Sequence, residues 1–431
     1  MTDCEARRRA NRVCEGVTPA DASAGAAPHG SLVLPAAPAD ALAPRRSIID
    51  SYIPDFPVKR QMNRAYRGEL NEIHASILAR QEAGEKLMGS AQIFQEVHWL
   101  VNYTDRVDDI ERLMQTLRDS LQISDQAFAG EQDPRDGSFG PCFESWIWRF
   151  HASVDPLKAL ALRGETPKHP LKIWDPVDTP EKIFELFEDL LISEPDGRHN
   201  KRKELNLAVT ALGQLLWLDD TAAVFPEHLD RKELGDALAR FIDERWQDPE
   251  TGYWGPWYRD GNEIKKTNDL SITFHIVSYR NGAVNRLPRI GQTTFDIRHT
   301  RYPFGWRSSG AQNNHHAYDA ARILNLIWDH MDPTQQATAR ALLFLMAARS
   351  LHLSIDSNGV FDAEPYSTVG QAYYFGVSFF DEIGLFRPNG RQDFLSITDT
   401  EALRERIAAN LMMLDPSDPM VGAAIRKLNG E

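Results

Sequence analysis

The segment 313–319, with sequence NNHHAYD, places amide, imidazole, phenol and carboxylate groups within seven residues. If a helix begins at the first asparagine, Asn314 and Tyr318 lie one turn apart on the same face, and so do His315 and Asp319. A carboxylate at that distance can set the tautomer of the imidazole and raise its basicity. The spacing predicts proton-transfer chemistry, with Asn314, His315 and Tyr318 as catalytic residues. The alternative is that asparagine only caps a helix and that the histidine pair is structural.

Basic residues are concentrated just before this segment. Residues 259–307 contain nine Lys and Arg but only four Asp and Glu, in a chain whose formal net charge is −14. Such an inversion can attract an anionic ligand, and a guanidinium can bind a carboxylate through two hydrogen bonds. The alternative is that these arginines pair with acidic helices elsewhere. The candidates for substrate binding are three arginines and four aromatic residues suited to stacking on sugar rings: Arg298, Arg301, Arg307, Trp254, Trp257, Tyr366 and Tyr373.

The composition of the chain argues against two classes of binding partner, nucleic acids and membranes. The chain has 431 residues, of which 42% are hydrophobic, as in ordinary globular proteins. Its acidic balance argues against a nucleic-acid partner, because phosphates require a basic surface. It contains no run of about 18 apolar residues, so we expect no membrane partner. We expect a small-molecule or oligosaccharide substrate, and the oligomeric state stays open.

We expect neither a metal ion nor a cofactor. Two of the three cysteines, Cys4 and Cys14, lie near the N-terminus, and Cys142 alone cannot form a thiolate metal site. The histidines of segment 313–319 are adjacent, and adjacent histidines on a helix point in different directions. The sequence contains no glycine-rich phosphate-binding loop of the Walker or dinucleotide type.

The chain divides into a leader, 1–47, and a helical domain, 48–431. The leader is rich in Ala, Pro, Gly and Ser, which predicts disorder. It has no apolar stretch of the kind found in a Sec-type signal peptide, so we expect a cytoplasmic protein, with export through the tail left open. From residue 48 onwards apolar residues recur at helical spacing. Predicted helices are 59–80, 92–121, 143–162, 179–194, 201–218, 230–246, 314–330, 334–352 and 400–413.

A ten-residue pattern, Gln-Asp-Pro-x-x-Gly-x-aromatic-Gly-Pro, occurs twice, at 132–141 and 247–256. Each copy follows one predicted helix and precedes another. A shorter turn at 356–361 retains the glycine and the aromatic residue. A repeated helix–turn–helix unit indicates a helical array, in which the glycine permits a tight turn and the aromatic side chain packs between neighbouring helices.

The repeated turn resembles the Gln-rich and Trp-rich repeats of squalene and terpenoid cyclases and of protein prenyltransferases. That resemblance implies an all-α fold, the α/α toroid, in which helical hairpins form a ring around a central cavity. The acidic motifs of those cyclases, Asp-x-Asp-Asp and Asp-Asp-x-x-Asp, are absent from this sequence. The prenyltransferase zinc site also lacks a suitable cysteine, so the fold does not by itself imply terpenoid chemistry.

The asparagine–histidine segment resembles the Asn-Asn-His-x-x-Trp/Tyr region of alginate lyases, another α/α-toroid group. The matching positions are Asn313, Asn314, His315 and Tyr318. The resemblance implies that Asn and His neutralise a uronate carboxylate, that His or Tyr removes the C5 proton and that Tyr protonates the leaving oxygen.

Three hypotheses follow from the sequence. The first is a lyase that cleaves an anionic, uronate-containing saccharide by β-elimination. The second is a terpenoid-cyclase-like enzyme that acts on an isoprenoid without the standard aspartate motifs. The third is a toroid protein that binds a ligand without catalysis. A polar cavity containing Asn314, His315 and an arginine favours the first, and a dry aromatic cavity with one buried carboxylic acid favours the second.

Overall fold

The computed structural model describes most of the chain from residue 60 onwards, together with one short strand before it. The described residues are 45–48, 60–103, 107–122, 132–140, 145–193, 200–308, 311–387, 389, 391, 400–416 and 418–430. The predicted disordered leader lies outside them except for residues 45–47, and all three cysteines, Cys4, Cys14 and Cys142, also lie outside.

The described residues are mostly helical, as the periodicity predicts. The predicted segments 92–121 and 143–162 each contain two helices, and four helices lie outside the segments named from the sequence: α9, α10, α13 and α15. The helices are α1 (Arg60–Glu82), α2 (Met88–Tyr103), α3 (Val107–Ser120), α4 (Trp146–Ala152), α5 (Val154–Leu162), α6 (Pro180–Leu191), α7 (Arg202–Trp217), α8 (Arg231–Arg240), α9 (Leu270–Tyr279), α10 (Leu287–Asp296), α11 (Asn314–Leu326), α12 (Pro333–Leu353), α13 (Val369–Glu382), α14 (Thr400–Leu411) and α15 (Pro419–Asn429).

Local capping explains where several helices begin. Thr179 accepts a hydrogen bond from the backbone of Lys182 at the start of α6, with Pro180 in the first turn. Asp332 and Gln335 form a reciprocal capping box at the start of α12. Both starts are those that the sequence predicts.

Alternate helices pack against one another in chain order. Helices α4, α7, α9, α11, α13 and α15 form a continuous series in which each contacts the next, and we call them the inner series. The intervening helices pack on this series: α6 and α8 contact α7, α10 and α12 contact α11, and α14 contacts α15. Burial agrees with this division, because α7 is buried on most of its surface whereas α12 buries only Ala339, Leu343, Ala347 and Ser350.

The repeated turns have the same hydrogen-bond pattern. In the first copy the backbone N–H of Asp133 donates to Ser138 O, and in the second copy that of Asp248 donates to Tyr253 O. The glutamine amide then joins each turn to a later loop, because Gln132 donates to His169 O and Gln247 donates to Asn285 O. In each copy the glutamine therefore joins two successive loops between helices, so its role is structural.

Glycine is required in these turns by backbone conformation and by space. Gly137 has φ 76° and Gly252 has φ 74°, in the left-handed region that favours glycine. A Cβ atom on Gly137 would lie 2.2 Å from Pro170 O, and one on Gly252 would lie 3.0 Å from Ile290 N. The turn at 356–361 has the same conformation at Gly359, with φ 81°.

A small sheet that the sequence reading did not predict lies beside the helices. Strands β1 (Arg45–Ile48), β2 (Ile192–Ser193), β3 (Trp257–Asp260) and β4 (Glu263–Thr267) are ordered β1-β4-β3-β2. Strands β3 and β4 form an antiparallel hairpin, with parallel partners on both sides. The segment 282–313, which lies between the predicted helices 230–246 and 314–330, contains α10.

The hydrophobic core has two parts. The larger part runs through α4 to α15, and the smaller part lies within α1, α2 and α3. Two hydrogen bonds join these parts, from His74 Nε2 to Tyr366 O at 2.7 Å and from the backbone of Val369 to Gln81 Oε1 at 3.1 Å. None of the described helices is both long and apolar enough to cross a membrane.

Candidate active site

His315, Asp319 and Tyr302 form a compact group, which we call the His–Asp–Tyr cluster. The Tyr302 hydroxyl donates to Asp319 Oδ2 at 3.0 Å. His315 Nε2 lies 3.6 Å from Asp319 Oδ1 and 3.5 Å from the Tyr302 hydroxyl oxygen. The Asp319 side chain is fully buried, yet its Oδ1 atom has no hydrogen-bond partner among the described residues.

The start of α11 explains how two members of the cluster meet. The Asn313 side chain caps the helix by accepting from the backbone N–H of His315 at 2.9 Å. The helix therefore begins at Asn314, and the spacing of one turn brings His315 beside Asp319, as the sequence predicts. Tyr302 lies in the loop that precedes α11. A hydrogen bond from the backbone N–H of Leu270 to Pro303 O joins this loop to α9.

Burial controls the protonation of the cluster. It lowers the pKa of His315 well below its ordinary value, and nearby His316 adds to that shift. Burial raises the pKa of Asp319, although the hydrogen bond from Tyr302 opposes the shift. Burial, followed by the charge of Asp319, raises the pKa of Tyr302. Near neutral pH the imidazole is therefore an uncharged base beside a protonated phenol.

Aromatic stacking holds the rings of the cluster in place. The Tyr302 ring stacks on His316 with 3.7 Å between centroids, and His315 stacks on Phe375 of α13 at 4.0 Å. His316 Nδ1 also lies 3.0 Å from Ser308 Oγ. The two adjacent histidines therefore have different environments, and only His315 faces Asp319.

Partly exposed side chains from the inner series surround the cluster. His151, Lys203, His275, Tyr279 and Tyr374 all retain solvent-accessible surface, although burial is the main influence on the pKa of each. Burial lowers the pKa of His151 and His275 to about 3 and raises that of Tyr374 to about 12. Because these five side chains lie deep in the protein yet retain accessible surface, we infer that they border a cavity, and we call them the histidine cavity.

Electrostatic coupling joins the cavity to the cluster. The charge of Asp319 contributes to the raised pKa of both Tyr279 and Tyr374, after burial. His275 Nδ1 lies 2.9 Å from the Tyr279 hydroxyl, which forms a second imidazole–phenol pair one helical turn apart on α9. The cavity can therefore accept and donate protons at more than one point.

The predicted catalytic residues have three different environments. His315 belongs to the cluster, and 27% of its side chain is exposed. Asn314 is fully buried, where its amide nitrogen donates to Ser354 Oγ and its oxygen accepts from Ser350 Oγ. Tyr318 is buried against Phe274. The described contacts therefore bring only His315 of the three into the cluster.

The predicted substrate-binding arginines lie on and beside the loop that carries Tyr302. Arg301 and Arg307 are exposed and flank that loop, where the backbone of Tyr302 donates to Arg307 O. Arg298 is partly buried and donates to Phe295 O at 2.7 Å. Two of the three guanidinium groups are therefore accessible near the site.

The four predicted aromatic residues are all buried. Trp254 donates to Ile242 O in the core, and Trp257 lies in β3. The Tyr366 hydroxyl accepts from the backbone N–H of Asn314 at 2.7 Å, and Tyr373 packs edge-on against Phe361 in the core. These residues support the fold, and Tyr366 directly supports the start of α11.

Sequence reasoning missed several cavity residues. Tyr302 and Lys203 carry no local motif, and only the folded chain brings them to α11. His275 and Tyr279 have the same spacing as His315 and Asp319, so the i, i+4 pattern was a usable signal on α9. No group of three His, Cys, Asp or Glu side chains among the described residues is arranged to hold a metal ion.

Comparisons with protein-family models, with curated proteins and with solved structures find no match for this chain. Function is therefore inferred from the side chains of the cluster and the cavity.

Proposed function

We propose that the paired helices form an α/α toroid whose inner series surrounds the histidine cavity. The order of helix contacts supports this arrangement, because each inner helix contacts the next one along the chain. The charge of Asp155 on α5 also contributes to the raised pKa of Asp418, which caps α15. This coupling supports the proposed closure of a ring, because α5 directly follows α4, the first helix of the series, and Asp418 caps the last.

We further propose that the protein is a lyase that cleaves an anionic, uronate-containing saccharide by β-elimination. The observation that carries this proposal is the His–Asp–Tyr cluster, in which a neutral imidazole and a protonated phenol share one buried carboxyl group. Elimination requires one group that removes a proton and another that supplies one to the leaving oxygen. His315 and Tyr302 provide these groups within 3.5 Å of each other.

The reaction proceeds in a balanced sequence. His315 removes the C5 proton of the uronate, and the electron pair forms the C4–C5 double bond as the bond from C4 to the glycosidic oxygen breaks. Tyr302 donates its proton to that oxygen, and transfer of a proton from His315 then restores both residues. Because base and acid are adjacent, they act on one face of the sugar, which predicts syn elimination. Asp319 is a positioning residue that holds the Tyr302 hydroxyl beside the imidazole.

Ultraviolet absorbance of the unsaturated uronate product tests this proposal. Wild-type protein and the variants His315→Ala, Tyr302→Phe and Tyr318→Phe are incubated with a panel of uronate oligosaccharides. We expect the first two substitutions to lower the rate by about 100-fold or more. Tyr318→Phe is the matched control, since that phenol lies outside the cluster, and its rate should remain within a few-fold of wild type. Equal loss in Tyr302→Phe and Tyr318→Phe would contradict the assignment of Tyr302.

A second candidate function is protonation of an isoprenoid substrate by Asp319. It is favoured by the raised pKa of this buried carboxyl group and by the aromatic rings around it. The numerous histidines make the cavity more polar than such a reaction requires, so we rank it second. Cyclised product from an isoprenoid, formed by wild type but not by Asp319→Asn, together with no uronate turnover, would favour it over the lyase.

A further inference from the structure

Lys203 is a partly buried positive charge without a matching carboxylate among the described residues. Its neighbour Arg202 binds Asp269 through two hydrogen bonds, of 2.7 and 3.0 Å. Lys203 instead lies over the Trp148 ring, with Nζ 5.7 Å from the centroid. No described Asp or Glu oxygen lies within ion-pair distance of its amine, whereas Lys158 on α5 has both Gln214 and Asp220 as partners.

Helix α7, which begins at Arg202 and carries Lys203, contacts α4, which carries His151, and α9, which carries His275. The positive charge of Lys203, after burial, lowers the pKa of His98, His151, His275 and His315, which places it within electrostatic reach of all four. Neutral imidazoles can donate hydrogen bonds without adding charge. The region therefore combines one uncompensated cation with several neutral donors, a combination suited to an anion.

We propose that Lys203 binds the carboxylate of the sugar acid and so makes the histidine cavity selective for a substrate with one negative charge at that position. This inference rests on the proposed function, which requires a uronate. Charge balance favours a monoanion, because Asp269 neutralises Arg202 and the imidazoles are uncharged. A dianionic phosphate would bring two negative charges to one ammonium group, so one of them would remain unmatched.

Lys203 also has a role in the proposed elimination. Removal of the C5 proton places negative charge on the carboxylate of the substrate, and a nearby ammonium group stabilises that charge. Asn314, the residue first expected to do this, has its amide bound to Ser350 and Ser354. The amine of Lys203 supplies the positive charge that the buried asparagine does not.

Binding measured by calorimetry, without turnover, tests the proposal. The probes are the methyl glycoside of a single hexuronate, which has no sugar on its C4 oxygen and so cannot be cleaved, its methyl ester, and glucose 6-sulfate and glucose 6-phosphate. Wild type should bind the acid about 10- to 100-fold more tightly than the ester, as expected for one charge-assisted hydrogen bond. Lys203→Met should lose this preference, and Lys203→Arg should retain most of it. Lys158→Met is the matched control because that amine has protein partners, and it should bind like wild type.

The outcomes separate this proposal from the lyase proposal. Equal affinity of wild type for acid and ester overturns the role of Lys203, and this comparison does not depend on whether any variant folds. Lys203→Met binding the acid as tightly as wild type overturns it as well, as does tighter binding of the phosphate than of the uronate. A Lys203-dependent preference for the acid without any unsaturated product supports the anion site and refutes the elimination.

Discussion

Replacing Asp319 with asparagine tests whether the site carries an energetic cost in the folded protein. The substitution keeps the shape of the side chain and an oxygen that can accept from Tyr302. It removes a carboxyl group that is fully buried and whose Oδ1 lacks a hydrogen-bond partner among the described residues. Burial raises the pKa of Asp319 above the ordinary value of 3.8, so ionisation opposes folding.

The pH dependence of the free energy of unfolding follows from the raised pKa of Asp319. Above about pH 4 the unfolded chain loses the Asp319 proton while the folded protein keeps it. The free energy of unfolding of wild type then falls by about 1.4 kcal/mol per pH unit until pH reaches the folded pKa, and it levels off above that point. Asp319→Asn lacks this pH-dependent contribution to the free energy of unfolding. Its stability relative to wild type should therefore increase with pH over that range.

Urea unfolding measured by tryptophan fluorescence between about pH 4 and about pH 8 gives the difference in free energy of unfolding between Asp319→Asn and wild type. We expect Asp319→Asn to be more stable than wild type at neutral pH and much less active. Asp329→Asn, at an exposed position, provides a matched control for the chemical change from aspartate to asparagine. A difference for Asp319→Asn that decreases as pH rises would refute the reasoning, because it would mean that the folded protein stabilises an ionised Asp319, as in an ion pair with His315.

Three further predictions concern the residues that support the site, each measured by urea unfolding. Gly252→Ala should lower the free energy of unfolding by about 2–5 kcal/mol through strain and close contact, whereas Gly68→Ala, in open space on α1, should be neutral or stabilising. Arg202→Met should cost about 3–5 kcal/mol because it leaves buried Asp269 unpaired, and adding Asp269→Asn should recover part of that loss. Asn314→Ala should cost about 1–3 kcal/mol, since two buried serine hydroxyls each lose one of their hydrogen-bond partners.

Local interactions explain which parts of the fold the sequence predicts. The starts of α6 and α12 depend on caps within a few residues, so Thr179 and Asp332 identify them directly. The repeated turns likewise depend on one glycine each. Helix α9 is different, because its sequence LSITFHIVSY is rich in β-branched residues, whose intrinsic helix propensity is low. Burial on both faces stabilises it as a helix, and that burial depends on distant segments.

The residues of the site also differ in whether local or distant contacts determine their positions. The pairing of His315 with Asp319 was predictable because one helical turn determines it. The role of Asn314 was not, since Ser350 and Ser354, which hold its amide, lie 36 and 40 residues further along the chain. Trp254 shows the same limit, because an aromatic residue suited to a binding surface is equally suited to a core. Residue type indicates possible chemistry, whereas packing determines which groups are accessible.

Two buried aspartates in this fold differ in how completely their carboxyl groups are hydrogen-bonded. Asp269 caps α9 and receives two hydrogen bonds from Arg202, so its carboxylate is satisfied. Asp319 is as deeply buried, yet only Tyr302 donates to it among the described residues. An unsatisfied buried carboxyl group destabilises a fold, and packing alone would favour an apolar residue there. Lys203 likewise has no carboxylate partner among the described residues, and the proposed anionic ligand would account for both groups.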